Sequence, residues 1–217
     1  MTTVAILDYG IGNRRSVSSA LSVLGAEPYL AASGQDVDRS DGLIIPGVGA
    51  FPHCMAALEA AGFPALIADY VGSGRPVLGI CVGMQMLFDV GSEFTLTKGL
   101  GIIPGRVDRL AIDPAAGRLP HIAWTSVDVA VRDGSMFEGL PSSAQFYFVH
   151  SFAPTAVPNA DVSATASYCG HSFVAAVQRA NVWGTQFHPE KSGPNGLKLL
   201  ANFVSHCRIG DRPKRGD

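Results

Sequence analysis

Residues 76–89 read PVLGICVGMQMLFD, and the fold prediction starts from this stretch. Its apolar first part, Pro76–Ile80, predicts a buried strand, and residues 83–89 predict a helix. Gly79 and Gly83 stand on either side of the junction where the strand passes into the helix. A strand followed at once by a helix is typical of proteins in which helices cover a mainly parallel sheet.

The chain before this stretch repeats the alternation of apolar strands and helical patterns. Residues 4–7 (Val-Ala-Ile-Leu) and 43–45 (Leu-Ile-Ile) predict two further buried strands. An amphipathic helix with Gly25 as its stop signal lies between them, and further helices are predicted near residues 53–61 and 64–71. Continuous rather than alternating apolar strands predict a parallel sheet covered on both faces. The apolar face of the first helix consists of Val17, Ala20, Leu21 and Leu24.

After about residue 100 the pattern changes to short strand-like segments joined by turns rich in Gly, Pro, Asn and Ser. They predict a mixed or antiparallel sheet lying beside the first one, followed by a helix near residues 195–207. We expect one domain over residues 1–209 and a frayed tail over residues 210–217. The predicted strands of this half are 105–110, 121–131, 145–152, 162–168, 173–178 and 182–187.

Composition excludes several classes of function. The 217 residues are 47% apolar and 16% charged, with a formal net charge of −2, so a large core is available. Neither an electrostatic site for nucleic acid nor one for anionic lipid is indicated. No apolar run approaches the roughly 20 residues of a membrane helix, and the start lacks the basic region of a signal peptide. We therefore expect a cytoplasmic protein that binds neither nucleic acid nor membrane.

Cysteine chemistry is the first candidate for function. The four cysteines contain no C-x-x-C pair, which argues against a disulfide framework and a zinc knuckle. Only Cys81, in Gly79-Ile80-Cys81-Val82-Gly83, lies in the pattern G-x-S-x-G of a nucleophile elbow, with a thiol in place of the hydroxyl. A free thiol is only about 3% ionised at pH 7, and a helix N-terminus or an imidazolium raises that fraction. The alternative is that Cys81 is a small buried hydrophobe.

His188 and Glu190 are the candidate base and its orienting group. They follow a strand-like segment in Gln186-Phe187-His188-Pro189-Glu190. If His188 ends that strand, Glu190 shares its face two positions on, and the carboxylate can fix the imidazole tautomer. The alternative is a strand end that carries two polar surface residues. The six histidines show no H-x-H or H-E-x-x-H spacing, so neither a metal site nor another cofactor is predicted.

These residues resemble the class I (triad-type) glutamine amidotransferases, and among them the glutaminase subunits of imidazole glycerol phosphate synthase. The elbow and His-Pro-Glu are shared by the wider family, whereas three other segments are narrower signals. The resemblance extends over nearly the whole chain. The matching segments are DYGIGN (8–13), PGVGAF (46–51), GICVGMQ (79–85), GLGIIPG (99–105), YFVHS (147–151) and QFHPEKS (186–192).

The resemblance implies a flavodoxin-like α/β fold with a mixed sheet and flanking helices, and a thiol mechanism that hydrolyses glutamine to glutamate and ammonia. Cys81 attacks the amide carbonyl, and His188 first protonates the ammonia and then activates water. The implied oxyanion donors are the backbone N–H of Val82 and an N–H around Val48 and Gly49. Glycines beside Val48 make a peptide flip there easy, and the family is thought to keep this peptide misdirected until the partner's substrate binds.

By the same resemblance, the substrate contacts are Gln85, Glu93 and the backbone of Val149, His150 and Ser151. Gln85 follows Cys81 by four residues, so on a helix it returns to the same face. An exposed helical glutamine is the alternative for Gln85. For Glu93 the alternative is a solvated turn.

The resemblance implies a partner, the cyclase subunit of imidazole glycerol phosphate synthase, which is a (β/α)8 barrel that consumes the ammonia. Asn13, Tyr147 and Lys191 resemble interface residues. A helix N-cap, a half-buried strand residue and a solvated charge are their respective alternatives.

Two departures from the family pattern leave local contacts open: residues 120–125 read PHIAWT instead of PHMGWN, and Phe152 replaces a common Tyr. Three readings compete. The chain is a glutaminase for histidine biosynthesis, or it is the glutaminase of another amidotransferase or a γ-glutamyl hydrolase, or it is a non-catalytic regulatory subunit. The narrow motifs disfavour the second reading, and Cys81, His188 and Glu190 together disfavour the third.

Overall fold

The computed structural model describes residues 1–130 and 134–209. Over these residues it contains fourteen strands, six α-helices and one short 3₁₀ helix. The predicted tail, residues 210–217, and residue 131 of a predicted strand lie outside them. The strands are β1 (Thr3–Leu7), β2 (Glu27–Ala31), β3 (Gly42–Gly47), β4 (Val77–Cys81), β5 (Val90–Gly91), β6 (Thr97–Lys98), β7 (Arg106–Arg109), β8 (His121–Ser126), β9 (Asp128–Val129), β10 (Gln145–His150), β11 (Phe152–Thr155), β12 (Val162–Tyr168), β13 (His171–Arg179) and β14 (Val182–Thr185). The helices are α1 (Arg14–Val23), α2 (Gly34–Asp38), α3 (Phe51–Ala60), α4 (Phe63–Gly72), α5 (Val82–Gln85) and α6 (Gly193–Ile209), and the 3₁₀ helix is Pro189–Lys191.

A central mixed sheet organises the fold. In the part of the chain that the structure describes, its strand order is β2-β1-β3-β4-β14-β13-β12-β9. The first five strands pair in parallel, and β3 and β4 are buried along their whole length, as continuous apolar runs require. The predicted α/β fold with a mixed sheet is confirmed.

Only part of the second half of the chain builds separate sheets, and the rest joins the central sheet. Its strands β14, β13, β12 and β9 extend the central sheet, with antiparallel pairing from β14 onwards. The remaining strands of residues 1–130 and 134–209 form a β8–β10 pair and a four-stranded sheet, β11-β7-β5-β6. β14 pairs in parallel with β4. The C-terminal segment is thereby placed beside the strand that ends at Cys81.

Helix α1 shows how the sequence signals act locally. Val17, Ala20 and Leu21 are buried on one face. Gly25 follows the helix with φ +73°, its N–H donates to the Ser22 carbonyl, and the next N–H donates to the Leu21 carbonyl. This is a Schellman ending, and the predicted stop at Gly25 is confirmed.

The helix predicted over residues 83–89 is wrong in length, because α5 ends at Gln85. Met86, Leu87 and Phe88 are all fully buried, so this segment has no polar helical face. The carbonyl groups of residues 86–89 accept hydrogen bonds from the N–H groups of residues 99–103, which replaces the helical bonding pattern. The loop therefore ties the start of the four-stranded sheet to the end of α5.

Strand β2 is absent from the sequence prediction. Its sequence, Glu-Pro-Tyr-Leu-Ala, contains a proline and no continuous apolar run, and only Ala31 is buried. β2 lies at the edge of the central sheet and pairs with β1 alone. A proline, which has no N–H group to donate, is tolerated in such an edge strand. Among the described residues no single helix is long and apolar enough to cross a membrane, and α3 with α4 reaches that composition only across an 88° bend.

Candidate active site

Cys81 turns the chain from strand to helix. β4 ends at Cys81 and α5 begins at Val82, so the whole turn is made at one residue. Cys81 has φ 56° and ψ −113°, which residues with side chains rarely adopt. Strain of this kind costs on the order of 1–3 kcal/mol and tends to persist at functional sites. The predicted elbow geometry is present.

Glycines are required around Cys81 by close backbone contacts. A Cβ atom on Gly83 would lie 1.9 Å from the Ile45 carbonyl oxygen. One on Gly79 would lie 2.7 Å from the Gly83 carbonyl oxygen, and one on Gly47 would lie 2.5 Å from the Gly83 nitrogen. The first turn of α5 therefore rests directly on β3 and β4, which fixes the position of the thiol.

The three side chains picked from the sequence are neighbours in the folded chain. The Cys81 sulfur and the Glu190 carboxylate both act on the pKa of His188, and His188 Nδ1 lies 2.9 Å from Glu190 Oε1. Since Nδ1 faces the carboxylate, Nε2 is the nitrogen that remains for the sulfur. Cys81 is 4% exposed, and the side chains of His188 and Glu190 are 2% and 0% exposed. The contact takes place away from bulk water.

The backbone geometry predicted to bring Glu190 to His188 is wrong. β14 ends at Thr185, so His188 does not end a strand, and residues 189–191 form a 3₁₀ helix rather than extended chain. The tight turn brings Glu190 back to the imidazole of His188. The sequence pattern identifies the right pair for an incorrect geometric reason.

Further groups hold this turn in place. Asn13 Nδ2 donates to Glu190 Oε1 at 3.1 Å. Asn13 is the N-cap residue of α1, as the alternative has it, but its side chain makes no capping bond and contacts Glu190 instead. Ser192 Oγ donates to the His188 carbonyl at 2.6 Å and accepts from the Tyr147 N–H at 3.0 Å. The His188 N–H donates to the Tyr147 carbonyl, which completes a clamp between β10 and the 3₁₀ helix.

Electrostatics favour a protonated imidazole. Burial by itself lowers the pKa of His188, but the hydrogen bonds and charges of Cys81 and Glu190 outweigh it and raise the pKa to about 9. His188 therefore carries its proton at neutral pH. An imidazolium beside the sulfur favours the thiolate form, which is the reactive form of cysteine.

The predicted oxyanion residues lie at the ends of β3 and β4. Val82 opens α5, and N–H groups in the first turn of a helix have no intrahelical acceptor. Gly49 has φ +93°, and the Val48 carbonyl accepts from the Cys54 thiol at 3.3 Å. Burial raises the pKa of Cys54 to about 11, so this thiol keeps its proton and donates it to the carbonyl.

Gln85 and Glu93 both have protein partners. Gln85 is 3% exposed, so the alternative of an exposed helical glutamine is wrong. Its Nε2 donates to the Phe152 carbonyl at 3.0 Å and to Gln186 Oε1 at 2.9 Å. Glu93 is only partly exposed, and its Oε2 accepts from the Phe51 N–H at 2.7 Å, at the start of α3. Both side chains are therefore fixed near the elbow.

The chain matches the model of the class-I glutamine amidotransferase family over residues 5–207. The chain belongs to that family.

Relatives narrow the assignment within the amidotransferases. A protein of Desulfitobacterium hafniense (strain DSM 10664 / DCB-2) named imidazole glycerol phosphate synthase subunit HisH is 48% identical over 200 residues, which cover 92% of each chain. A protein of the same name from Methanosarcina barkeri is 43% identical over 210 residues, 95% of this chain and all of the other. The predicted resemblance to this group of amidotransferases is confirmed.

A solved structure agrees with the fold of the amidotransferase. A glutamine amidotransferase from Thermotoga maritima matches with a TM-score of 0.67 and covers 95% of this chain and 97% of its own. The two sequences are 14% identical, so this likeness concerns the fold alone.

The residues predicted to meet a partner lie around the triad of this amidotransferase. Tyr147 is half-buried on β10, and Lys191 is exposed, with its Nζ 6.0 Å from the centre of the Tyr147 ring. Asn13 contacts Glu190 directly, as described above. The backbone of Val149, His150 and Ser151 continues from Tyr147 at the end of β10.

Sequence reasoning missed two residues of the site. Gln186 and Ser192 stand on either side of the His-Pro-Glu motif, at 0% and 1% exposure. Both residues lie inside the segment 186–192 that matches the family, and this was the sequence feature that could have identified them. Only the folded chain shows what their side chains contact. Among residues 1–130 and 134–209 no group of three histidine, cysteine, aspartate or glutamate residues could hold a metal ion.

Proposed function

We propose that the chain is the glutaminase subunit of an imidazole glycerol phosphate synthase. It hydrolyses glutamine to glutamate and ammonia and passes the ammonia to a cyclase subunit for histidine biosynthesis. The observation that carries the proposal is the grouping of Cys81, at a strained elbow, with His188, whose pKa the sulfur raises and whose Nδ1 is hydrogen-bonded to Glu190. A relative named imidazole glycerol phosphate synthase subunit HisH that is 48% identical supports the choice of pathway.

The first half of the reaction forms a thioester. The Cys81 thiolate attacks the side-chain carbonyl carbon of glutamine and gives a tetrahedral oxyanion, which accepts hydrogen bonds from the N–H of Val82 and from an N–H around Val48 and Gly49. His188, protonated at neutral pH, gives its proton to the amide nitrogen. The carbon–nitrogen bond breaks and ammonia leaves.

The second half releases glutamate. Neutral His188 removes a proton from water, and the resulting hydroxide attacks the thioester carbonyl. Collapse of this second intermediate breaks the carbon–sulfur bond and returns the thiolate beside the imidazolium. Glu190 orients the imidazole and stabilises the imidazolium in both halves.

Substrate contacts are proposed around the sulfur of Cys81. Gln85, Glu93 and the backbone of residues 149–151 hold glutamine with its amide facing Cys81. The fixed position of Gln85 supports this assignment, because both of its amide N–H groups already have acceptors and its Oε1 remains for a ligand donor.

An exposed patch beside the triad supports the proposed cyclase partner. Ile122 and Trp124 are 57% and 51% exposed, and they face Val149 and Tyr147 across the β8–β10 pair. Aromatic side chains on a surface are enriched in protein interfaces. Lys191 adds a positive charge at the edge. We propose that this patch, with Asn13, contacts the barrel-shaped cyclase.

The test is ammonia release from glutamine by the chain alone, with the cyclase subunit, and with the cyclase and its nucleotide substrate. We expect high turnover only when both the cyclase and its nucleotide substrate are present. Cys81→Ala should abolish it while a pull-down with the cyclase remains normal, because the attacking sulfur is lost and the surface is kept.

Cys169→Ala is the matched control, because this cysteine is exposed. It should release ammonia at the rate of the unchanged protein. Normal turnover by Cys81→Ala, or failure of the unchanged chain to bind the cyclase, contradicts the proposal.

A further inference from the structure

A buried polar network that contains neither the proposed base nor its orienting group reaches Cys81. We propose that Gln186 is a positioning residue that donates a hydrogen bond to the sulfur of Cys81 and thereby favours its thiolate. This inference rests on the proposed function and adds a fourth side chain to its thiol chemistry. The network consists of Thr125, His121, His150, the Phe152 carbonyl, Gln85 and Gln186.

Hydrogen-bond directions in the network follow from one carbonyl oxygen. The Phe152 carbonyl can only accept, so His150 Nδ1, 2.9 Å away, carries a proton. Burial is the main reason why the pKa of His150 falls to about 4, so this ring is neutral and its Nε2 is an acceptor. His121 Nδ1, 3.0 Å from that nitrogen, therefore donates. His121 Nε2 in turn accepts from the Thr125 hydroxyl at 2.9 Å.

The same carbonyl fixes the glutamine amides. Gln85 Nε2 is 3.0 Å from the Phe152 oxygen and 2.9 Å from Gln186 Oε1, so both N–H groups of Gln85 are donors to oxygen. If Gln186 were turned over, its NH₂ group would face the NH₂ group of Gln85, and neither could accept. Gln186 must therefore present Nε2 to Cys81 Sγ, at 3.7 Å.

This orientation has a chemical consequence because Gln186 is fully buried. A hydrogen bond to a charged acceptor is roughly twice as strong as one between neutral groups, so an N–H beside the sulfur favours the thiolate over the thiol. A reversed amide would place a carbonyl oxygen against the thiolate and destabilise it. Gln186 thus acts on the same atom as His188, through a neutral donor that does not titrate.

The network includes one residue from each of the two departures from the family pattern. Phe152 takes part through its backbone carbonyl, so the loss of a tyrosine hydroxyl leaves this contact intact. Thr125 provides a hydroxyl that donates to His121 Nε2 and thereby fixes the tautomer of that ring.

The experiment measures alkylation of Cys81 by iodoacetamide as a function of pH, because the thiolate is the form that reacts. Peptide mass spectrometry separates Cys81 from the exposed Cys169. We expect Gln186→Met, which is similar in size and has no N–H donor, to move the pH midpoint upwards by about one unit. His188, Tyr9 and Cys54 remain as titratable neighbours of the sulfur in the variant, so the shift reports Gln186.

Two further variants complete the test. Gln85→Met removes the donor that orients the Gln186 amide, so this amide can rotate by 180° and the midpoint should shift upwards by a smaller amount. If Gln186→Met does not fold, the shift in Gln85→Met tests the proposal in its place. Gln35→Met, at an exposed glutamine on α2, should give none. A midpoint equal to that of the unchanged protein in folded Gln186→Met overturns the proposal.

The alkylation assay needs neither glutamine nor the cyclase, so it separates this inference from the proposed function. If the unchanged protein releases no ammonia but Gln186→Met shifts the alkylation midpoint, the proposed glutaminase activity is refuted and the contact with the sulfur is supported. If the unchanged protein releases ammonia normally but Gln186→Met leaves the midpoint unchanged, the activity is supported and the role of Gln186 is refuted. In an active enzyme we also expect Gln186→Met to lower kcat and leave KM close to its original value, because its amide touches the sulfur and is not among the proposed substrate contacts.

Discussion

One carboxylate oxygen, Glu190 Oε1, accepts from both His188 Nδ1 and Asn13 Nδ2. A Glu190→Gln variant keeps an oxygen at this position, because Asn13 still requires an acceptor there. The variant therefore loses the negative charge and retains the geometry. We expect a fall in glutaminase turnover that can reach about 10⁴ by comparison with other triads, and that is still smaller than the fall in Cys81→Ala. Steady-state rates of ammonia release check the order.

The double variant Glu190→Gln with Asn13→Ala removes the group that orients the new amide. Its NH₂ group can then face Nδ1 and reverse the imidazole tautomer, so we expect a further loss. A larger loss in Glu190→Gln than in Cys81→Ala would refute the assignment of Glu190 as the orienting group.

At the level of single residues, the sequence was sufficient for Cys81, His188 and Glu190, because each occupies a motif position with few chemical alternatives. It was insufficient for Gln186. A glutamine next to a histidine has no spacing rule, and its role depends on Gln85 and Phe152, which are 101 and 34 positions away in the chain. Such contacts exist only after the strands are in register.

At the level of elements, the elbow depends on Gly83. Its missing Cβ atom would lie 1.9 Å from the Ile45 carbonyl oxygen, so Gly83→Ala forces α5 away from β3. We expect the free energy of unfolding to fall by about 3 kcal/mol or more, since a backbone shift is required rather than a side-chain rotation. Glutaminase activity should be lost with it. Urea unfolding and the ammonia assay measure the two effects.

Gly72→Ala at the end of α4 is the matched control, because no atom lies within 4 Å of the position of its Cβ. It should be neutral or stabilise the protein by less than about 1 kcal/mol. Equal unfolding curves for the two alanine variants would contradict the close-packing explanation of the elbow.

Element prediction succeeded where one signal dominated. Fully buried strands such as β3 and β4 are unbroken apolar runs, and α1 is followed by Gly25, which adopts a positive φ. It failed for β2, whose edge position permits a proline, and for the end of α5, where carbonyl groups bond to a distant loop. In both cases the deciding interaction is with another part of the fold.

At the level of the whole molecule, parallel pairing brings the carboxyl ends of β1, β3, β4 and β14 to one edge of the sheet. Ligand sites of open α/β sheets lie at this edge. Asn13, Val48, Cys81 and His188 all follow or close those strand ends. The sequence indicated the parallel strands of the first half, but it did not indicate that β14 joins them beside β4, which is the step that completes the site.

Two buried histidines, His188 and His150, change the stability of the whole molecule with pH in opposite directions. His188 has a pKa raised from 6.5 to about 9, so the folded state binds more protons than the unfolded state between these values. Its contribution is fully present below pH 6.5 and is lost as the pH rises through about 9. His150 has a pKa lowered from 6.5 to about 4, so its contribution is present above 6.5 and is lost as the pH falls towards 4.

We therefore expect the free energy of unfolding to have a maximum near pH 6.5 and to fall on both sides, by about 3 kcal/mol on each if the full shifts are expressed. Urea unfolding from pH 4 to pH 9 measures the curve. His188→Gln should remove the alkaline decline and keep the acidic one, because His150 is unchanged. Since the imidazolium is also the proposed acid for ammonia release, glutaminase activity should decline over the same alkaline range. A stability that rises between pH 6.5 and 9, or an alkaline decline that survives in His188→Gln, would show that the imidazolium does not help to hold the folded site together.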